Sequence, residues 1–225
     1  MENHMPQNPN LPQNVDEQIA RLREALSRNP ECGTTHYNLA VALLGKQEFA
    51  EAEKELHEAI ECSPTLAEAY AQLGGICLQR DDLEGCYRFN YRGTKVRAGF
   101  AEGYANMAFV LLQLIDGQSD KEDEEKLDKA IKFLRKAIIH NKNFIQAYTT
   151  LGTAYFMKGL VDEAIQANAE AIEVEPNFPI AHNNLAVAYL EKQVYDKAVH
   201  HCDQAVSLGF DVAQDLLDEL APHRS

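Results

Sequence analysis

The side chains best suited to chemistry are His200, His201 and Cys202, three metal-competent groups in a row. Consecutive residues point in different directions around a helix, and helical ligand pairs need spacings of three or four. The trio therefore reads as surface histidines beside a core cysteine, and no metal site is expected. The five cysteines, Cys32, Cys62, Cys77, Cys86 and Cys202, form no Cys-x-x-Cys pair, which argues against a redox motif or a zinc knuckle. The stretch from Asp116-Gly117 to Asp128 is rich in carboxylates. A calcium loop wants alternating oxygen ligands and a central glycine, whereas Gly117 directly follows the first aspartate. This stretch reads as a charged loop and an extended helix start. No glycine-rich phosphate loop, nucleophile elbow or His-Glu-x-x-His helix is present, so neither a catalytic set nor a cofactor site is legible. One segment is basic and aromatic at once, from Tyr87 to Arg97, with Arg88, Arg92 and Lys95 on one helical face. Such a patch can bind nucleic acid, dock an acidic partner or pair with neighbouring acidic helices.

With chemistry faint, the elements that would position these residues carry the information. Small residues recur at Ala25, Ala59, Gly93, Ala137, Ala171 and Ala205, spaced by 34 residues except for one interval of 44. A second ladder is Ala52, Cys86, Ala130, Ala164 and Ala198. A third is Ala40, Gly74, Ala108, Gly152 and Ala186, each preceded by Leu or Met. Small beside large at helical spacing means closely packed helix pairs, and a fixed period of this length marks a repeat array. His36, Tyr70, Tyr104, Tyr148 and His182 open the units, and Pro30, Pro64 and Pro176 close several of them.

In this register Tyr148, Leu151, Gly152, Tyr155, Ala164, Ala171 and Pro176 match the signature of the tetratricopeptide repeat, which the chain resembles over about residues 15 to 212. The resemblance implies an all-α fold, a right-handed superhelical α-solenoid of helix-turn-helix repeats. The expected organisation is a disordered tail over 1–13, then a single array over 14–221. That array holds an N-terminal helix at 15–28 and repeats at 33–66, 67–100, 101–144, 145–178 and 179–212. About ten inserted residues lie near 116–126, and a capping helix spans 211–221. The unit at 67–100 places Cys86, Asn90, Gly93 and Ala98 where Ala, an apolar residue, Ala and Pro are usual, and the next unit holds the insertion. Both are expected to be less regular, the packing of the second helix of 67–100 above all. Cys77, Cys86 and Cys202 occupy apolar repeat positions, where a thiol serves as a small hydrophobe.

Both ends of the array are legible. Asn14 with Glu17 three residues on begins the first helix. Val212, Leu216, Leu217 and Leu220 share one face of the last. The segment before Asn14 is polar and proline-rich, with no leader-like apolar run, and no stretch approaches a membrane span. A soluble, cytoplasmic protein is expected, with self-association possible if the caps are incomplete.

On the first helix of each unit, positions 2, 6, 9 and 13 lie opposite the buried stripe, and the resemblance places that face in the concave groove. Position 6 reads Asn38, Gln72, Asn106, Thr150 and Asn184, side chains that both donate and accept hydrogen bonds. Such a ladder can grip the main chain of an extended polypeptide, or it can solvate the groove. Tyr37, Leu44, Leu78, Phe109, Leu112, Phe156 and Leu190 flank it, with Tyr37 and Phe109 the best anchors. The groove set contains Glu68, Glu102 and Glu191 but no cation, so the heat-shock carboxylate clamp is not matched. The formal charge of −14, from 21 basic and 35 acidic residues, disfavours nucleic acid. The expected protein is a non-catalytic adaptor taking a neutral or basic polypeptide segment. The alternative is an accessory or assembly factor of an enzyme complex, bound through a broad folded interface.

Overall fold

The computed structural model describes residues 15–117 and 120–224; the expected tail and the Asn14 cap lie outside them. Among the described residues every regular element is helical. The chain divides into two compact units, Met1–Ala98 and Gly99–Ser225.

The first unit contains α1 (Val15–Arg28), α2 (Gly33–Gly45), α3 (Phe49–Cys62), α4 (Ala67–Gln79) and α5 (Leu83–Val96), each packed on the next. Its core joins Ile19 to Leu39, Leu43, Leu56, Leu73 and Ile76 through the alanines Ala40, Ala52 and Ala59. Residues 40, 52 and 59 must be small because helix axes meet there.

The second unit contains α6 (Ala101–Gln113), α7 (Asp120–His140), α8 (Ile145–Met157), α9 (Val161–Val174), α10 (Pro179–Glu191), α11 (Tyr195–Ser207) and α12 (Gln214–Leu220). One core gathers Ala108, Ala130, Leu134 and Leu151, and another closes Ala186, Ala198 and Cys202 under Val212, Leu216 and Leu220. The last helix begins three residues later than the expected 211. The Phe210 amide turns back to the Ala205 carbonyl at 3.0 Å, and Gly209 adopts φ +83°, so helix cannot resume until this turn is complete. Val212 still packs, from the turn itself.

The connection inside four of the five repeats is built alike. The amides of Glu48, Asp82, Leu160 and Val194 return to the carbonyls of Leu43, Cys77, Tyr155 and Tyr189, with Gln47, Asp81, Gly159 and Gln193 in the left-handed region between. Beside these turns Lys46 reaches Asp16, Lys158 reaches Asp128 and Lys192 reaches Asp162, each 30 residues back. Lys46 and Lys192 thus tie their turns to the second residue of an earlier helix, and Lys158 ties its turn to a residue within the lengthened α7.

Two expectations about irregularity resolve differently. Helix α5 has 14 residues, as α3 and α9 do, and is not the irregular one. Cys86 and Gly93 are small enough for the close approach. Asn90, fully buried, satisfies itself by donating to the Cys86 carbonyl at 2.9 Å, and Asp82 caps the helix by accepting from the Gly85 amide at 2.8 Å. The inserted residues instead lengthen α7, which has 21 residues against 14; that accounts for seven of ten, and the connection before it takes the other three. Asp123, buried, accepts from the Gly117 amide at 2.9 Å, while Lys126 holds Asp123 at 3.2 Å and the Leu114 carbonyl at 2.9 Å. The carboxylates here pin the connection to the helix.

Candidate functional site

The groove residues are best assembled in the second unit, where α6, α8 and α10 lie side by side. Phe109, Leu112 and Gln113 from α6 meet Gln146, Thr150, Thr153 and Met157 from α8, and Ile180 and Asn184 from α10, around a cavity of about 400 Å³. Phe109 is 38% exposed, Met157 45% and Ile180 41%. Three large apolar side chains left open to water around one cavity are more than scattered surface hydrophobics. Every polar group named on the wall is an amide or a hydroxyl, so the cavity offers hydrogen bonds without charge.

Asn184 is held in a fixed orientation by a residue that the sequence reading missed. Asn168 on α9 is buried and donates through Nδ2 to the Ala164 carbonyl at 2.8 Å. Its Oδ1 is therefore an acceptor, and Asn184 must turn Nδ2 toward it, at 3.2 Å. That leaves the Asn184 Oδ1 as the acceptor for anything entering the groove. The arrangement needs Gly152, because a Cβ there would lie 2.1 Å from the Asn168 Nδ2. Asn168 sits where Leu56 and Leu134 sit in other repeats, and that exchange of leucine for asparagine is the signal that could have found it. A smaller cavity of about 100 Å³ lies among Gly152, Phe156, Asn168, Asn184 and Val187.

The other predicted positions are less uniform than their common register suggests. Thr150 is half-buried and spends its hydroxyl proton on the Gln146 carbonyl at 2.7 Å, which leaves it an acceptor. Asn106, on α6, is half-buried. In the first unit Asn38 is exposed and Gln72 is half-buried. Gln72 lines a cavity of about 440 Å³ with Leu44, Gln47, Phe49, Ile76 and Gln79, so glutamines take the place that aromatic and aliphatic anchors have in the second unit. Tyr37 is half-buried and packs on the first unit's core, so much of its ring is already used. Glu68 is not a free acidic group. Arg97 at the end of α5 bonds it at 2.5 Å, and although burial opposes ionisation, this guanidinium prevails and holds its carboxyl below the usual range.

The histidines also depart from their expected place. His201 is half-buried, with its ring stacked on Tyr189 at 5.6 Å and its Nδ1 3.0 Å from the His182 Nδ1. Helix α11 turns residue 201 toward α10 because it occupies the register of Glu55, which faces His36 in the same way. Burial first, then the charges of His182, His200 and Lys197, push its pKa down to about 4. Arg88, Arg92 and Lys95 are all exposed on α5.

Comparison with known proteins follows this geometry. No curated protein matches the sequence. Family models described as a tetratricopeptide repeat and a TPR repeat match residues 13–77 and 154–193. Among solved structures, the chain is similar to YrrB, described as a TPR protein with an unusual peptide-binding site, at 21% identity and a TM-score of 0.66 over 91% of this chain and 98% of that one. PilF of Pseudomonas aeruginosa aligns with a TM-score of 0.75 at 16% identity, over 94% of this chain and 90% of that one. MamA aligns with a TM-score of 0.62 at 22% identity, over 80% and 92%. Likeness at these identities speaks to the fold. Joined to the matched repeat models and the 34-residue helical pairs, it shows that this chain carries tetratricopeptide repeats arranged as an all-α solenoid, a fold that supports protein–protein interaction in general.

Proposed function

We propose that this protein is a non-catalytic cytoplasmic adaptor whose groove holds an extended, neutral or basic segment of another protein. The supporting observation is the uncharged cavity of about 400 Å³ where Phe109, Met157 and Ile180 stand exposed beside the oriented Asn184. An aliphatic or aromatic side chain fits among the three apolar groups, and the Asn184 Oδ1 accepts from the amide of its main chain. Asn38, Gln72, Asn106 and Thr150 offer the same kind of contact elsewhere in the register, with Tyr37 and Phe109 as anchors. YrrB, similar in fold, is described as having a peptide-binding site. The test is a peptide array probed with the wild type and with a variant carrying Asn38→Ala, Asn106→Ala and Asn184→Ala. Loss of the bound spots with an unchanged helical circular dichroism spectrum supports groove binding; unchanged binding removes it.

A second reading has its own observation. On the other side of the second unit, Arg135, Ile138 and Ile139 of α7 face Glu163, Gln166 and Glu170 of α9 across a cavity of about 340 Å³. Ile139 is 70% exposed. An accessory factor bound to a folded subunit would cover it, and Ile139→Glu would then weaken the complex while the groove variant would not.

A further inference from the structure

We infer that the outward face of α5 is a second docking surface, built for a short acidic segment of a partner protein in which carboxylates recur on alternate residues. The case begins with charge accounting in the first unit. Arg23 holds Glu51, Arg28 holds Glu24, Lys46 holds Asp16, Arg80 holds Glu53 and Arg97 holds Glu68. Arg88, Arg92 and Lys95 hold no carboxylate among the described residues. Glu84 stands one helical turn before Arg88, correctly spaced for an ion pair, and makes none. In a chain of net charge −14, these three neighbouring cations of the first unit are left without an anion, and an internal role as partners of acidic helices is not what they perform.

Aromatic groups are interleaved with these cations. Tyr91 is 45% exposed, and the Lys95 ammonium lies 4.9 Å from the centre of its ring. The Arg88 guanidinium lies 5.6 Å from the centre of Phe89, whose ring also meets His57 edge-on. Arg88 and Lys95 are thus held against rings, which limits the freedom they lose when a ligand arrives. Tyr91 leaves an apolar surface between Arg88 and Lys95, over which the methylene stems of a partner's glutamates can lie.

Length selects the partner class. From Arg88 to Lys95 the helix rises only about 10 Å, enough for two or three carboxylates on alternate residues of an extended segment, about 7 Å apart. Beyond that stretch the surface turns acidic, with Asp81, Asp82 and Glu84 exposed at the start of the helix. A nucleic-acid strand carries charge continuously and would run from the three cations onto these carboxylates. A short acidic peptide ends before it meets them.

The probe is a short fluorescein-labelled peptide alternating glutamate with leucine, compared with its glutamine counterpart and with a labelled thymidine oligonucleotide of equal length. Fluorescence anisotropy on the whole protein should show the glutamate peptide binding best, with affinity falling as salt rises. Arg88→Gln, Arg92→Gln and Lys95→Gln together should weaken it roughly tenfold, while Asn184→Ala leaves it unchanged. These exposed positions should not disturb folding, which a thermal melt of each variant checks. Equal binding of the glutamine peptide, full affinity in the triple variant or tighter binding of the oligonucleotide would each overturn the proposal.

Discussion

Two histidines at the same register position, one in each unit, face partners of opposite character. His36 opens α2 and His182 opens α10. Each reaches back six residues with Nε2 to a proline carbonyl, Pro30 at 2.8 Å and Pro176 at 2.9 Å, and each meets through Nδ1 a side chain 19 residues ahead. For His36 that partner is Glu55 at 2.6 Å, so both ring nitrogens donate and the imidazolium is favoured. Burial opposes that charge, but the bonds to Glu55 and Pro30 outweigh it and raise the pKa. For His182 the partner is His201. Its Nε2 donates to the carbonyl, and burial keeps the neighbouring His201 ring neutral, with its pKa down at about 4. One frame therefore sets a histidine against a carboxylate in the first unit and against a neutral imidazole in the second, and a single residue at the partner position decides which.

The frame itself is the place for the largest effect. Ala164 is buried where α9 meets its neighbours, and Ala164→Leu should cost about 3 kcal/mol through overpacking. A chemical denaturation midpoint equal to wild type would show that the register underlying the comparison is wrong. Next is the partner itself: Glu55→His should convert the first unit to the second's arrangement and cost about 2 kcal/mol near neutral pH, because a buried charge-assisted bond is lost. The third effect is acid. A histidine whose folded pKa is lowered leaves stability intact above its unfolded value near 6.5 and removes it as pH falls toward the folded value of about 4. Hydrogen exchange should find α10 and α11 losing on the order of 2 kcal/mol across that window. A histidine whose folded pKa is raised acts oppositely: its contribution is complete below the unfolded pKa and fades as pH rises through the folded one. Helices α2 and α3 should therefore hold on acidification and loosen above neutrality, and matching slopes in both places would break the contrast. The smallest effect uses the tyrosine that shares this position. Tyr70 donates to the Pro64 carbonyl at 3.3 Å without a charged partner, so Tyr70→Phe should cost about 0.5 kcal/mol and be independent of pH.

The helices were legible because the small residues that permit their close approach cannot vary much. Ala52, Ala59, Ala164 and Ala171 announce where two axes meet. What escaped were side chains whose roles depend on a neighbour from a different helix. Asn168 occupies an apolar position and reads as a defect until Asn184 and Gly152 are placed beside it. His201 reads as surface in a run of polar residues, and only the distance to His182 turns it inward. Arg97 lies outside the groove register, yet its long arm neutralises Glu68 within it. Period specifies backbone placement, while the direction and reach of a polar side chain depend on partners that are remote in the chain.

The carbonyl contacts of His36, Tyr70 and His182 have a consequence for cleavage. Pro30, Pro64 and Pro176 each stand in an exposed link between helix pairs, the kind of place where a protease usually cuts. A protease must draw its substrate out as an extended strand, and here the carbonyl at the link is tethered from six residues downstream. The links are visible to solvent but cannot be pulled straight until the first turn of the following helix lets go, so exposure alone does not make them vulnerable.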